Sequence, residues 1–191
     1  MTKTIAFFLT NITILFILTS CETTEITYLY HKDTYSVGVP VEEINFSDVK
    51  LKKYTINEIL FYPVIRHNSS NSNPETYSLA LKVFKPKEVT DNSVIINNVK
   101  LEGSKAITFK PISTEINKNI EFINDGNQLG VKTSENDLID EINDYDMNLK
   151  DNKSELKVLI NVSVISGKQI ITKELEYIFK AETEEYSTFL Q

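Results

Sequence analysis

From Leu156 to Val164 apolar residues fall on every second position: Leu156, Val158, Ile160, Val162 and Val164, with Lys157, Asn161 and Ser163 between them. An extended strand buried on one face brings those side chains together, because successive side chains of a strand point to opposite sides. Ser166-Gly167-Lys168 then supplies a turn. Beyond it Ile171, Lys173, Leu175, Tyr177 and Phe179 resume the alternation, with Glu174, Glu176 and Lys180 opposite. The pair reads as a long β-hairpin. A slip of one residue would turn the whole apolar comb to water, so the register is firmly specified.

The same period recurs upstream. Tyr77, Leu79, Leu81 and Val83 alternate with Ser78, Ala80 and Lys82 until Pro86, and Asp91-Asn92 marks a turn. Val94 to Leu101 is the next strand, and Glu102-Gly103-Ser104 turns it into Ile107-Thr108-Phe109. Ile120 to Ile123 is a short apolar run ended by Asn124-Asp125-Gly126-Asn127. Between Lys50 and Arg66 the chain is rich in Tyr, Ile, Leu and Phe, and Pro63 argues for an edge strand or a bulge there. Residues 67–74 read as an exposed polar loop.

One stretch departs from the strand period. Leu138, Ile139, Ile142 and Tyr145 sit at helical spacing, and Ser134-Glu135-Asn136-Asp137 has the form of a capping box with Asp as its acid. A short helix over Ser134 to Tyr145, covering one end of the sheets, is predicted. Strands of this number and spacing predict a mainly β chain, an antiparallel β-sandwich of immunoglobulin-like type with that one short helix, over residues 44–191. The tryptophan and cysteine pair of antibody domains are absent. An α+β domain or an open barrel is the alternative.

Composition narrows the function. At 191 residues, 41% hydrophobic and 25% charged, the chain is neither disordered nor wholly membrane-embedded. Twenty basic residues against 27 acids give a net charge of −7, and without a basic stripe no nucleic-acid partner is expected. A single cysteine removes disulfide frameworks and cysteine-based zinc sites. No Walker, dinucleotide or Gly-x-Ser-x-Gly pattern occurs. His31 and His67, the only histidines, lie in apparent tether and loop sequence and read as exposed surface residues. The pairs Glu42-Glu43 and Glu184-Glu185 read as solvated charge. No catalytic residue and no cofactor is assigned, and the chain is expected not to be an enzyme. A hydrolase with a scattered site is the outlying alternative, since triad members need not be neighbours in sequence. Tyrosine and phenylalanine fall mostly at inward positions. Tyr28, Tyr30 and Tyr35 are the exceptions on which a second alternative, a glycan-binding surface, depends.

The N-terminus places the chain. Lys3 precedes a mostly apolar run from Ile5 to Leu18, interrupted by Asn11. That run is short of the ~20 residues a transmembrane helix needs and has the shape of a secretory signal. Directly after it, Leu18-Thr19-Ser20-Cys21 resembles the lipobox of bacterial lipoproteins. The resemblance covers only the first twenty-one residues. It implies cleavage between Ser20 and Cys21 and a lipid on Cys21, so that residues 1–20 are a signal peptide and the chain is anchored to a membrane. Loss of Lys3 with no acid would leave the remainder one unit more negative than −7. Residues 21–43 read as a tether in which Ile26, Tyr28 and Tyr30 alternate and are able to add an edge strand, before Gly38-Val39-Pro40 breaks it. The acids Glu22 and Glu25 are similar to surface-export signals of Bacteroidetes lipoproteins and tilt the expected location toward the outer membrane. The expected role is a non-enzymatic envelope lipoprotein that binds a protein partner or serves as an accessory subunit.

One metal motif stands out. Asp144, Asp146, Asn148, Asn152 and Glu155 occupy positions one, three, five, nine and twelve of a stretch that resembles an EF-hand calcium loop. Leu149 stands where glycine normally permits the sharp turn, Asp151 replaces the usual apolar residue, and Glu155 opens a strand. Calcium held by Asp144, Asp146, Asn148 and Glu155 therefore stands beside the simpler reading, a solvated acidic connection.

Overall fold

The structure, a computed structural model, describes residues 22–31, 49–68, 76–89, 91–104, 112–122, 131–143 and 155–188. In chain order it contains β1 (Glu22–His31), a 3₁₀ helix (Val49–Tyr54), β2 (Thr55–Ile56), β3 (Ile59–Asn68), β4 (Thr76–Pro86), β5 (Asn92–Ser104), β6 (Ile112–Asn119), β7 (Val131–Asn143), β8 (Glu155–Ser166) and β9 (Gln169–Thr188). They form a five-stranded sheet, order β1-β9-β8-β5-β6, and a four-stranded sheet, order β2-β3-β4-β7. The described pairings, β2–β3, β3–β4, β4–β7, β5–β6, β5–β8 and β8–β9, are antiparallel. The described residues fall into a compact unit within residues 28–182 and a smaller one made of residues 22–27 and 183–188. In the smaller unit the hydroxyls of Thr27 and Thr183 lie 3.1 Å apart.

Within residues 28–182 the inner faces of both sheets share one core, so the chain is a β-sandwich. Leu156, Val158, Ile160, Val162 and Val164 are fully buried, and they meet Val94, Ile96, Val99 and Leu101 from β5. From the opposite sheet come Phe61, Tyr77, Leu79, Leu81 and Val83. The expected hairpin forms with Ser166 paired to Gln169 around Gly167-Lys168. Gly167 has φ +57°, as the first central position of a two-residue turn of this kind requires. Pro63 lies beyond the reach of β2, which pairs only with Ile59 and Leu60, so its missing N–H is tolerated on that edge.

The helix expected over Ser134 to Tyr145 is not there: residues 131–143 are strand β7, paired along β4 from Thr76 to Pro86. The apolar spacing has a different cause. The register shifts between Leu79/Ile139 and Ala80/Asp137, and again between Tyr77/Ile142 and Leu79/Ile139. Each shift places an extra residue on β7. One bulge stretches a period of two into the three-residue step from Ile139 to Ile142, and the other inserts Leu138 beside Ile139, so that together they imitate a helix. The only helical element among the described residues is the 3₁₀ turn at Val49–Tyr54.

Other boundaries move as well. Glu102-Gly103-Ser104, expected as a turn, continues β5 opposite residues 155–157 of β8. Strand β6 was not foreseen; its exposed side chains outnumber its half-buried ones and carry no alternation. The first part of the expected tether is β1, and His31, expected on the surface, is 3% exposed.

The β2–β3 connection carries local strain. Asn57 and Glu58 both have positive φ, 46° and 65°, which is the conformation of a two-residue type I′ turn. Asparagine suits it and glutamate does not. Glu58→Gly is expected to raise stability by about 0.5–1 kcal/mol, read as a higher urea midpoint at unchanged slope. A lower midpoint would show that the Glu58 side chain makes a stabilising contact instead.

Candidate functional site

Two polar clusters stand out, one inside the sandwich and one on the outer face of the five-stranded sheet. The first begins with the 3₁₀ helix. At three residues per turn Leu51 and Tyr54 stack on one side, and both are buried. Tyr54 lies against Tyr177 of β9 with centroids 4.6 Å apart and planes at 17°. Its hydroxyl is 3.0 Å from Nε2 of His31, whose ring packs edge-on to Tyr177 at 5.4 Å and tilted to Phe179 at 5.5 Å. The Tyr177 hydroxyl donates to the Phe61 carbonyl in the other sheet at 3.0 Å. Burial, and then the neighbouring Tyr54, push the Tyr177 phenol well above its ordinary pKa, so it remains a donor. The cluster fastens β1, the 3₁₀ helix, β3 and β9 together. Its hydroxyl groups are engaged in structural hydrogen bonds.

The second cluster arises from a bulge. β5 pairs Ile96 with Val162 and Asn98 with Asn161, leaving Asn97 as an extra residue, while β6 adds Ile116 and Asn117 opposite it. Asn117 takes φ 48°, a conformation asparagine tolerates. The Asn97 amide donates to Asn161 Oδ1 at 2.6 Å and Ser163 Oγ at 2.9 Å, and Ser163 is 2.8 Å from the Thr172 hydroxyl. A row of amides and hydroxyls thus crosses β5, β8 and β9 on the outer face, with Thr172 exposed, Asn97 and Asn161 half-buried and Ser163 buried beneath them. Farther along the same face Glu102 pairs with Lys100 and, at 2.8 Å, with Lys157.

The hydrogen bonds from Lys100, then Lys157, hold the Glu102 carboxyl at about 2, and Glu102 in turn raises the Lys157 ammonium. Because the folded carboxyl is depressed, its stabilising effect is present above the ordinary carboxylate range and is lost as pH falls through about 2. An NMR titration of the Glu102 carboxyl is expected to show its midpoint near 2. In the Lys100→Met/Lys157→Met variant the midpoint should return toward the ordinary value of about 4.3. A wild-type midpoint already in that range would contradict the pairing.

On the four-stranded sheet Arg66 bridges Glu135 and Asp137, and Lys82 lies 3.6 Å from Glu135. At the inward end of β4, Lys85 is 4% exposed. It donates to the Asn92 carbonyl at 3.1 Å and sits 4.6 Å over the Phe122 ring. Burial lowers its pKa, Lys132 lowers it further, and Asp91 opposes them. Sequence reasoning missed Lys85, His31 and Asn97. Lys85 does continue the inward period Leu81, Val83, Lys85, which was the available signal.

Ser20 and Cys21 lie outside the described residues, as do Asp144, Asp146, Asn148 and Asn152. Glu155 opens β8, half-buried, opposite Ser104 and Lys180. Among the described residues no group of three or more His, Cys, Asp or Glu side chains is placed to hold a metal. No helix among them is long and apolar enough to cross a membrane. The aromatic rings whose burial is described are all buried or half-buried, Tyr28 and Tyr30 included; Tyr35 lies outside the described residues. Comparison with protein-family models, curated proteins and solved structures finds no match.

Proposed function

We propose that this chain is a cell-envelope lipoprotein, held to a membrane by a lipid on Cys21, whose sandwich binds a protein partner and performs no chemistry of its own. Leu18-Thr19-Ser20-Cys21, directly after an apolar run headed by Lys3, is the observation that carries the reading. The acid-flanked cysteine favours the outer membrane. Glycan capture has less support, because most of the described rings belong to the core or pack against it, and Tyr28 and Tyr30, which alternate with buried Leu29 and His31, are half-buried rather than exposed.

The connectivity supports an immunoglobulin-like assignment. Counting from β3 as strand A, the sheets read A-B-E and G-F-C-C′, with β6 as C′ beside C. Under this reading the amide and hydroxyl row on β5, β8 and β9 is the binding face, since it offers directional hydrogen bonds to another chain's backbone and side chains. Co-purification of the native protein from detergent-solubilised membranes tests it. A stoichiometric protein partner that is lost from the Asn97→Ala/Asn161→Ala variant is expected. Recovery of the chain alone would overturn the partner-binding role.

A further inference from the structure

We propose that the lipid on Cys21 is joined to the fold without a tether, so that the end of the β1–β9 ribbon rests on the phospholipid headgroups of the bilayer; this rests on the membrane-anchored reading above. A tether over residues 21–43 would let the fold range up to about 80 Å from the lipid. Instead β1 begins at Glu22, the residue next to Cys21, and β1 neighbours β9 in its sheet. One peptide link, about 3.8 Å between α-carbons, separates the lipid-bearing residue from strand.

The smaller unit fixes where the ribbon ends. It groups residues 22–27 with 183–188, and the Thr27 and Thr183 hydroxyls meet at 3.1 Å, a cross-strand contact that threonine pairs favour. A parallel pairing would lay residues 22–26 along residues before Thr183, which do not belong to this unit. The two segments are therefore antiparallel, and counting outward from Thr27 and Thr183 brings Glu22 level with Thr188. At about 3.4 Å per residue, that shared end lies about 17 Å beyond the threonines. β1 and β9 are each unbroken, from Glu22 to His31 and from Gln169 to Thr188. The ribbon thus extends a sheet and is not an isolated two-stranded hairpin, which would be marginally stable on its own. Acyl chains on Cys21, at about 0.8 kcal/mol per buried methylene, then hold Glu22 and Thr188 at headgroup level.

The test uses the native lipidated chain in phosphatidylcholine vesicles, some of whose lipids carry a nitroxide quencher on the headgroup. A lipid on Cys21 consumes the only thiol, so Thr188→Cys and Glu184→Cys each offer one site to a thiol-reactive fluorophore. Several-fold quenching is expected on Thr188→Cys and at most a slight loss on Glu184→Cys, about 14 Å farther along the ribbon. A flexible Gly/Ser insert of about 20 residues between Cys21 and Glu22, with a mean span of about 25 Å, should bring the first down to the level of the second. Equal quenching of the two variants without the insert would overturn the proposal. So would quenching on Thr188→Cys that survives the insert, since the anchor would then not be what holds the ribbon down. Failure of the anchor shows separately: a wild-type chain whose Cys21 takes the fluorophore, and which does not float with the vesicles, carries no lipid, and the proposal falls with the reading beneath it.

Discussion

Tyr177→Ala is expected to lower the stability of the sandwich by about 4 kcal/mol, a large share of the 5–15 kcal/mol that holds a typical domain folded. The ring is 0% exposed, stacks on Tyr54, meets His31, and carries the hydrogen bond to Phe61 that ties one sheet to the other. Truncation removes the ring, leaves a cavity and strands a buried carbonyl. Tyr177→Phe separates those effects. It keeps the packing and loses only the hydroxyl, so a cost of about 1–3 kcal/mol is expected. Urea midpoints at unchanged slope measure both. A Tyr177→Phe protein as stable as the wild type would show that the link between the sheets contributes nothing.

The second large effect contrasts two neighbours on β8. Ile160 is 0% exposed in the shared core, whereas Leu159 is half-buried on the outer face opposite Glu176 and Lys100. Ile160→Asp places a carboxylate among apolar side chains and is expected to cost more than about 4 kcal/mol, enough to leave the chain unfolded or aggregated. Leu159→Asp should cost about 1 kcal/mol or less, because water reaches that side. Circular dichroism melts of the two variants decide the matter. Similar losses for both would mean that the outer face of β8 is covered.

That contrast was legible in the sequence because β8 is central and buried on one face, so burial wrote an unbroken period of two into it. The same holds for Tyr77, Leu79, Leu81 and Val83 in β4. Edge strands carry a weaker message. β6 has few buried positions and left no pattern, and the two bulges in β7 rewrote its period so that Leu138, Ile139 and Ile142 resembled a helix. The polar clusters were illegible for another reason: they are made by contacts between distant residues. Asn97 meets Asn161 and Ser163 only because a bulge lifts it out of register, and His31 meets Tyr54 and Tyr177 only once β1 joins β9. Spacing along the chain holds no trace of such pairings.

The central claim, that the chain is cut before Cys21 and lipidated on it, is tested most directly by the intact mass of the native protein. Loss of residues 1–20 together with added acyl mass on Cys21 is expected, and a Cys21→Ala protein should retain its first twenty residues and gain no lipid. A native mass equal to that of the full chain, or a processed chain with an unmodified cysteine, would contradict it.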